Sequence, residues 1–224
     1  LPDPIAADLV EYFHVRAGNG LSPAEIAAFI DSHPGWPAQA VLLRRYQGAL
    51  AADPALPPAT ACPPAATPSA PVMVRCAEAA AARGDMAEAA RLARRAWRDG
   101  IDNNGTEGAF LARWRTVLKP ADEEARFDRL AWTDPAGAAH QIARLPHPAR
   151  AAAEAWLALR KDGPKEFARA TALPAAARAA PGFVLERARW LRRAGQIAPA
   201  VDLWHAEGFA AEAAAAPDHR AAFW

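Results

Sequence analysis

The sequence predicts an all-α protein, an irregular α-solenoid or superhelix of short antiparallel helix pairs with tetratricopeptide-like turns. Three observations carry that prediction. Ala fills 63 of 224 positions, whereas Val, Ile and Thr together fill 20; Ala is the strongest helix former and β-branched residues favour strands. Pro and Gly punctuate the chain at intervals that leave room for short helices between them. Two junctions, Arg83-Gly84-Asp85-Met86-Ala87-Glu88-Ala89 and Ala194-Gly195-Gln196-Ile197-Ala198-Pro199-Ala200, set a Gly between helical stretches, with small residues three to five positions later. Small residues let the two helices of a hairpin approach closely, as in tetratricopeptide pairs, but no strict period of ~34 residues runs through the chain. The repeats are therefore degenerate.

The elements follow in order. Ile5, Leu9, Val10 and Phe13 recur at helical spacing over 4–17, and Gly18-Asn19-Gly20 ends the pattern. Ser22-Pro23-Ala24-Glu25 combines an N-cap, Pro at the first helical position and Glu at the third, a capping box. Ile26, Phe29 and Ile30 form the stripe of that helix, which His33-Pro34 stops. Trp36-Pro37 opens the next, with Val41, Leu42, Tyr46 and Leu50 recurring to about residue 52. Seven prolines between Pro54 and Pro71, with no charge after Asp53, read as an extended loop over 53–71. One domain over 1–224 is expected, with this loop separating the first helices (1–52) from the remaining array (72–224). Helices are then predicted at 71–83, 85–99, 104–117, 120–131, 135–144, 147–161, 164–172, 174–179, 182–194, 196–207 and 209–215.

Charge excludes several functions. Lys and Arg total 26 against 25 Asp and Glu, a net charge of +1, which argues against a nucleic-acid binder driven by phosphate neutralisation. No apolar run approaches the ~20 residues of a membrane span. The three serines, Ser22, Ser32 and Ser69, lie outside any Gly-x-Ser-x-Gly turn, and no Gly-rich phosphate loop is present. The six histidines show no metal-ligand spacing, so neither a metal nor another cofactor is expected. Glu123-Glu124 and Asp162 to Glu166 supply carboxylates, which at helix starts complement the dipole rather than form an acid–base pair. No catalytic residue is assigned.

Three features remain. Arg91, Arg94, Arg95 and Arg98 fall at i, i+3, i+4 and i+7, one helix face that reads either as a contact for an anionic ligand or acidic partner or as a solvated surface partly paired to Glu88 and Asp99. Cys62 lies in the Pro-rich stretch and Cys76 in the following helix. Bridged, they close a loop of about 15 residues, worth ~3 kcal/mol, and imply an oxidising compartment; otherwise they are two unrelated buried thiols. Trp97, Trp132, Trp156, Trp190 and Trp204 sit late in their helices beside Leu or Ala, as fillers of gaps between small side chains or as sugar-stacking faces.

Several strings together carry a resemblance. Asp3-Pro4 leading a helix, Leu21 to Phe29, and His33-Pro34-Gly35-Trp36-Pro37 come first. They are followed by Ala96 to Gly100, Phe110 to Arg113, Leu118 to Asp122, Arg126 to Trp132, Ala151 to Leu159 and Pro181 to Gly195, the last holding Arg187-Ala188-Arg189-Trp190. In this order the chain resembles the N-terminal superhelical region of soluble lytic murein transglycosylases. The resemblance implies a periplasmic protein, Gram-negative in setting, whose partners are peptidoglycan glycan strands and a C-terminal lysozyme-like catalytic domain. In that family one Glu protonates the glycosidic oxygen and the muramyl 6-hydroxyl attacks intramolecularly, giving an anhydro product. That Glu stands in a Glu-Ser pair followed by Gly-Leu-Met-Gln, and this sequence contains neither string. The resemblance thus implies a non-catalytic front part of such an enzyme, or a relative that has lost the catalytic part. The Pro-rich stretch and the cysteine pair depart from the family pattern. The reading set against it is a free-standing tetratricopeptide-like adaptor that binds a protein or peptide in the periplasm.

Overall fold

A computed structural model describes residues 4–18, 20–62, 68–102, 104–160, 164–215 and 220. Every regular element among them is helical. In order these are α1 (Pro4–Ala17), α2 (Pro23–Ser32), α3 (Gln39–Ala52), α4 (Ala70–Ala82), α5 (Met86–Gly100), α6 (Asn104–Trp114), α7 (Pro120–Thr133), α8 (Pro135–Gln141), α9 (His147–Ala158), α10 (Pro164–Thr171), α11 (Ala175–Arg178), α12 (Pro181–Arg193), α13 (Ile197–Leu203) and α14 (Phe209–Ala214). Short 3₁₀ turns extend α6 and α8, and a π-turn over Trp204–Gly208 joins α13 to α14. No described helix is long and apolar enough to cross a membrane.

The chain forms two compact units, Leu1–Leu118 and Lys119–Trp224. The sequence reads 53–71 as a loop separating 1–52 from 72–224 within one domain; that stretch lies inside the first unit.

In the first unit the capping box forms as the sequence dictates: Ser22 N donates to Glu25 Oε2 at 2.8 Å and Glu25 N donates to Ser22 Oγ at 3.3 Å. Tyr12, Val15, Ile26, Phe29 and Leu42 make a small core with Trp36 against it. Helix α3 begins at Gln39 rather than at Trp36, because Ala38 adopts a left-handed conformation (φ 59°) after the Pro34–Pro37 turns. Helices α4 and α5 pack as a hairpin whose interface is mostly methyl groups, with Ala77, Ala80, Ala89, Ala93 and Ala96 fully buried. Trp97, stacked on Phe110 at 5.2 Å, fills the volume that the alanines leave.

The second unit is organised on α12. Every residue from Gly182 to Ala188 is buried, and the core joins Phe127, Leu130, Trp156, Leu159, Phe183, Leu185, Trp190 and Leu191. A β-carbon at Gly182 would overlap Trp156 Cη2 and come within 2.8 Å of Asp128 Oδ1. Glycine there is what lets α12 approach both side chains.

The two Gly junctions have one geometry. Gly84 N donates to Ala81 O at 3.0 Å and Asp85 N to Ala80 O at 3.0 Å; Gly195 N donates to Arg192 O at 3.1 Å and Gln196 N to Leu191 O at 2.9 Å. Both glycines have positive φ, 82° and 71°, where a β-carbon clashes with the following carbonyl. Asp85 caps α5 by accepting from Glu88 N at 3.0 Å.

Candidate functional site

The sequence-predicted residues are in the first unit. Cys62 and Cys76 are bridged, with Cα atoms 4.8 Å apart. The bridge ties the Pro-rich stretch to α4, and two further contacts hold the same stretch. Gln47 Oε1 accepts from Ser69 N at 2.6 Å, and the Arg75 guanidinium donates to the carbonyls of Asp53 and Leu56. A composition that reads as a free linker is therefore fastened at both described ends.

Arg91, Arg94, Arg95 and Arg98 lie on the side of α5 opposite Ala89, Ala93, Ala96 and Trp97, which are buried. Their charge is partly spent within the helix. Arg91 pairs with Glu88 at 2.5 Å and Arg95 with Asp99 at 3.2 Å; the Arg91 hydrogen bond holds the Glu88 carboxyl below its ordinary range. Such exposed i,i+3 and i,i+4 pairs contribute little to stability. What they do is soften the anion-attracting field of the face. A cavity of about 260 Å³ beside α4 and α6 is lined by Arg75, Glu78, Phe110, Arg113 and Trp114. There Glu78 accepts from Arg75 at 3.1 Å and pairs with Arg113 at 3.8 Å, so these charges already answer one another.

Among the described residues of the second unit, two clusters of buried charge and a buried Arg187 paired with Glu207 at 3.3 Å stand out. Glu123, a helix-start carboxylate in the sequence, is buried and takes part in a network: Gln141 Nε2 donates to its Oε2 at 2.7 Å, Arg144 Nη2 to its Oε1 at 2.6 Å, and Arg126 Nη1 to Gln141 Oε1 at 2.9 Å. This ties α7 to α8 and the following turn. Asp162, its counterpart in the sequence reading, lies outside the described residues. Glu186 is 0% exposed on α12. Arg193 approaches it at 3.4 Å, Arg189 at 3.9 Å and Arg160 at 4.0 Å. Burial pushes the Glu186 carboxyl up, and the three guanidiniums pull the other way. Arg160 also donates to Ala131 O, and Arg193 Nη2 donates to Leu159 O at 2.8 Å. Glu186 therefore orients cations that close helix C-termini, a structural role.

The sequence reading named Glu124 as a helix-start carboxylate and Trp156 as a gap filler or stacking face, but did not bring them together with Asp128. A cavity of about 350 Å³ opens between α7, α9 and α12. Its lining holds the aromatic rings of Phe127, Trp156 and Phe183 and the carboxyls of Glu124 and Asp128. Burial raises the Asp128 carboxyl to about 6. The signals present in the sequence were indirect: Glu124 and Asp128 four residues apart on one helix face, and a Gly182 that leaves room for Trp156. Trp97, Trp156 and Trp190 are buried at 0–3% exposure and Trp132 and Trp204 pack against the core, which is the gap-filling role of these rings. Among the described residues no group of three or more His, Cys, Asp or Glu is placed to hold a metal ion.

No family model matches the chain, and neither a curated protein nor a solved structure matches it.

Proposed function

We propose that this chain is a non-catalytic helical scaffold, tetratricopeptide-like in its pairs, that serves a peptidoglycan lytic transglycosylase in the periplasm. In this role it holds glycan strands for a lysozyme-like catalytic domain, which cleaves the MurNAc–GlcNAc bond without water. The observation that carries the reading is the repeated hairpin geometry at Gly84 and Gly195. It gives two sequence-distant parts of the chain the same small-residue turn, as expected of a degenerate α-solenoid. The colinear strings from Asp3-Pro4 to Gly195 resemble that family, and the Cys62–Cys76 bridge fits an oxidising compartment. The Arg91/Arg94/Arg95/Arg98 face is the contact assigned to stem-peptide carboxylates. Co-sedimentation with purified sacculi tests the role: the oxidised chain is expected in the pellet, and the charge-reversed pair Arg94→Glu with Arg95→Glu in the supernatant. Unchanged sedimentation of that variant removes the Arg face from the proposal.

One observation favours the second reading, a periplasmic adaptor for a protein or peptide. Ile5, Leu9, Val10 and Phe13 on α1 are 46–71% exposed, an apolar stripe of the kind that seats a partner helix. A chain that ignores sacculi yet retains a protein partner from periplasm supports the adaptor.

A further inference from the structure

We propose that the cleft between α3 and the turn joining α1 to α2 binds a short extended peptide with free termini, whose terminal carboxylate meets Arg44 and Arg45 and whose terminal ammonium meets Asp53. The proposal is independent of the scaffold reading and does not involve the arginine face of α5.

The cleft measures about 580 Å³, within the range of sites for small organic ligands, roughly 300–1,000 Å³. Three of its lining residues are charged: Arg44 and Arg45 on α3, and Asp53 at the C-cap of that helix. Arg45 is held in place by the end of α1. Its Nε donates to Arg16 O at 3.1 Å, and its side chain crosses Gly18, where a β-carbon would come within 2.8 Å of Arg45 Cδ. Fixed through Nε, the guanidinium keeps its two terminal nitrogens unspent. Neither they nor Arg44 has a hydrogen-bond or carboxylate partner among the described residues. Two such forks lining one cleft suit a carboxylate, which Arg holds through paired, charge-assisted hydrogen bonds.

Between the charges the floor is bare. Gly48, Ala49 and Ala52 follow Arg45 at i+3, i+4 and i+7, one face of α3 with no side chain longer than a methyl. The opposite wall runs from Gly20 to Pro23. In it the main-chain N–H and C=O groups of Gly20 and Leu21 make no hydrogen bond among the described residues. A peptide laid on the floor can exchange main-chain hydrogen bonds with that wall, as extended peptides do with exposed backbone. The length also fits. Arg45 and Asp53 stand about 12 Å apart along the helix axis, and an extended chain rises about 3.3 Å per residue, so three or four residues join the two ends.

Other ligand classes fit less well. A small inorganic anion fills one end and gains nothing from Asp53. An oligonucleotide brings further negative charge to that carboxylate, and a polycationic peptide brings positive charge to the two guanidiniums. A zwitterion satisfies both ends.

The test compares tetra-alanine, its C-terminal amide, its N-acetyl form and inorganic phosphate by calorimetry. It is run at about pH 6.5, where both peptide termini are charged, and at low ionic strength, where exposed charges are least screened. The amide cross-peaks of Gly20 and Gly48 report the site. Tetra-alanine is expected to shift both and to bind at least about tenfold tighter than its amide. In Arg44→Gln that preference is expected to vanish. In Asp53→Asn the preference for the free over the acetylated amine is expected to vanish, while that for the acid over the amide remains. Arg44 is exposed, and Asn at 53 retains the Oδ1 that accepts from Ala55 N at 2.9 Å, so both variants are expected to fold, which melting curves check. The ligand comparisons on the unaltered chain decide the matter even where a variant does not. Equal affinity for acid and amide, equal affinity for free and acetylated peptide, phosphate bound as tightly as peptide, or binding that leaves Gly20 and Gly48 unshifted each overturns the proposal. So does no binding of tetra-alanine, or an unchanged acid-over-amide ratio in a folded Arg44→Gln.

Discussion

Placing a carboxyl against an indole in a protein interior shifts the balance between its two protonation states, and Asp128 shows the consequence. Its carboxyl titrates at about 6 because burial penalises the anion. The folded chain therefore binds a proton at Asp128 that the unfolded chain has already released between about pH 4 and 6. With more protons on the folded state, stability falls as pH rises through that window. The loss at this residue is on the order of 3 kcal/mol, and it is complete by about pH 7. Denaturant unfolding from about pH 4 to 7 should show this decline, and Asp128→Asn should flatten it; an identical pH profile in the variant contradicts the assignment. The sequence did not disclose this residue. Phe127, Leu130 and Ala131 mark the core face of α7 by period alone, and Asp128 stands one position off that face. It is drawn in only because Gly182 brings α12 close. The cysteines were legible because a Pro-rich stretch gives a lone thiol little packing to join. The pairing of Arg91 with Glu88 and of Arg95 with Asp99 was legible too, from their i,i+3 and i,i+4 spacing.

At the level of elements, helix starts and stops were almost fully written in the residues. Pro at the first turn of α2, α7, α8, α10 and α12, with Ser22 and Asp134 as caps, fixes where those helices begin. Two features escaped. The left-handed Ala38 has no glycine to announce it, and the π-turn at Trp204–Gly208 interrupts what reads as one continuous helix from 196 to 207. The paired turns give a clean measurement. At Gly84 and Gly195 nothing beyond the adjoining chain lies within 4 Å of where a β-carbon would be, so replacement by Ala costs only left-handed backbone strain. Gly84→Ala and Gly195→Ala should each destabilise by about 1 kcal/mol and by similar amounts in urea unfolding. A null effect at either position contradicts the shared geometry.

At the scale of the whole molecule, the division falls where composition gives no warning. Leu118-Lys119-Pro120-Ala121 looks like an ordinary helix start, whereas the conspicuous Pro-rich stretch is fastened to α4 inside the first unit. Composition reports where a chain cannot be regular, and tethering is a property of distant partners such as Gln47, Arg75 and Cys76. Opening the Cys62–Cys76 bridge releases a loop of about 15 residues from constraint, which should cost about 3 kcal/mol. Hydrogen exchange should place the loss of protection in residues 1–118 and spare 119–224, since each unit has a buried cluster of its own. Equal loss in both units contradicts the division.

The central claim is that the chain grips peptidoglycan and leaves the cutting to another domain. Incubating the oxidised protein with purified sacculi, then measuring both the sedimented fraction and the soluble muropeptides, tests the two halves together. A gripping, non-cutting scaffold leaves protein in the pellet and releases no 1,6-anhydromuropeptide. Protein left in the supernatant, or anhydromuropeptides set free by this chain alone, would contradict it.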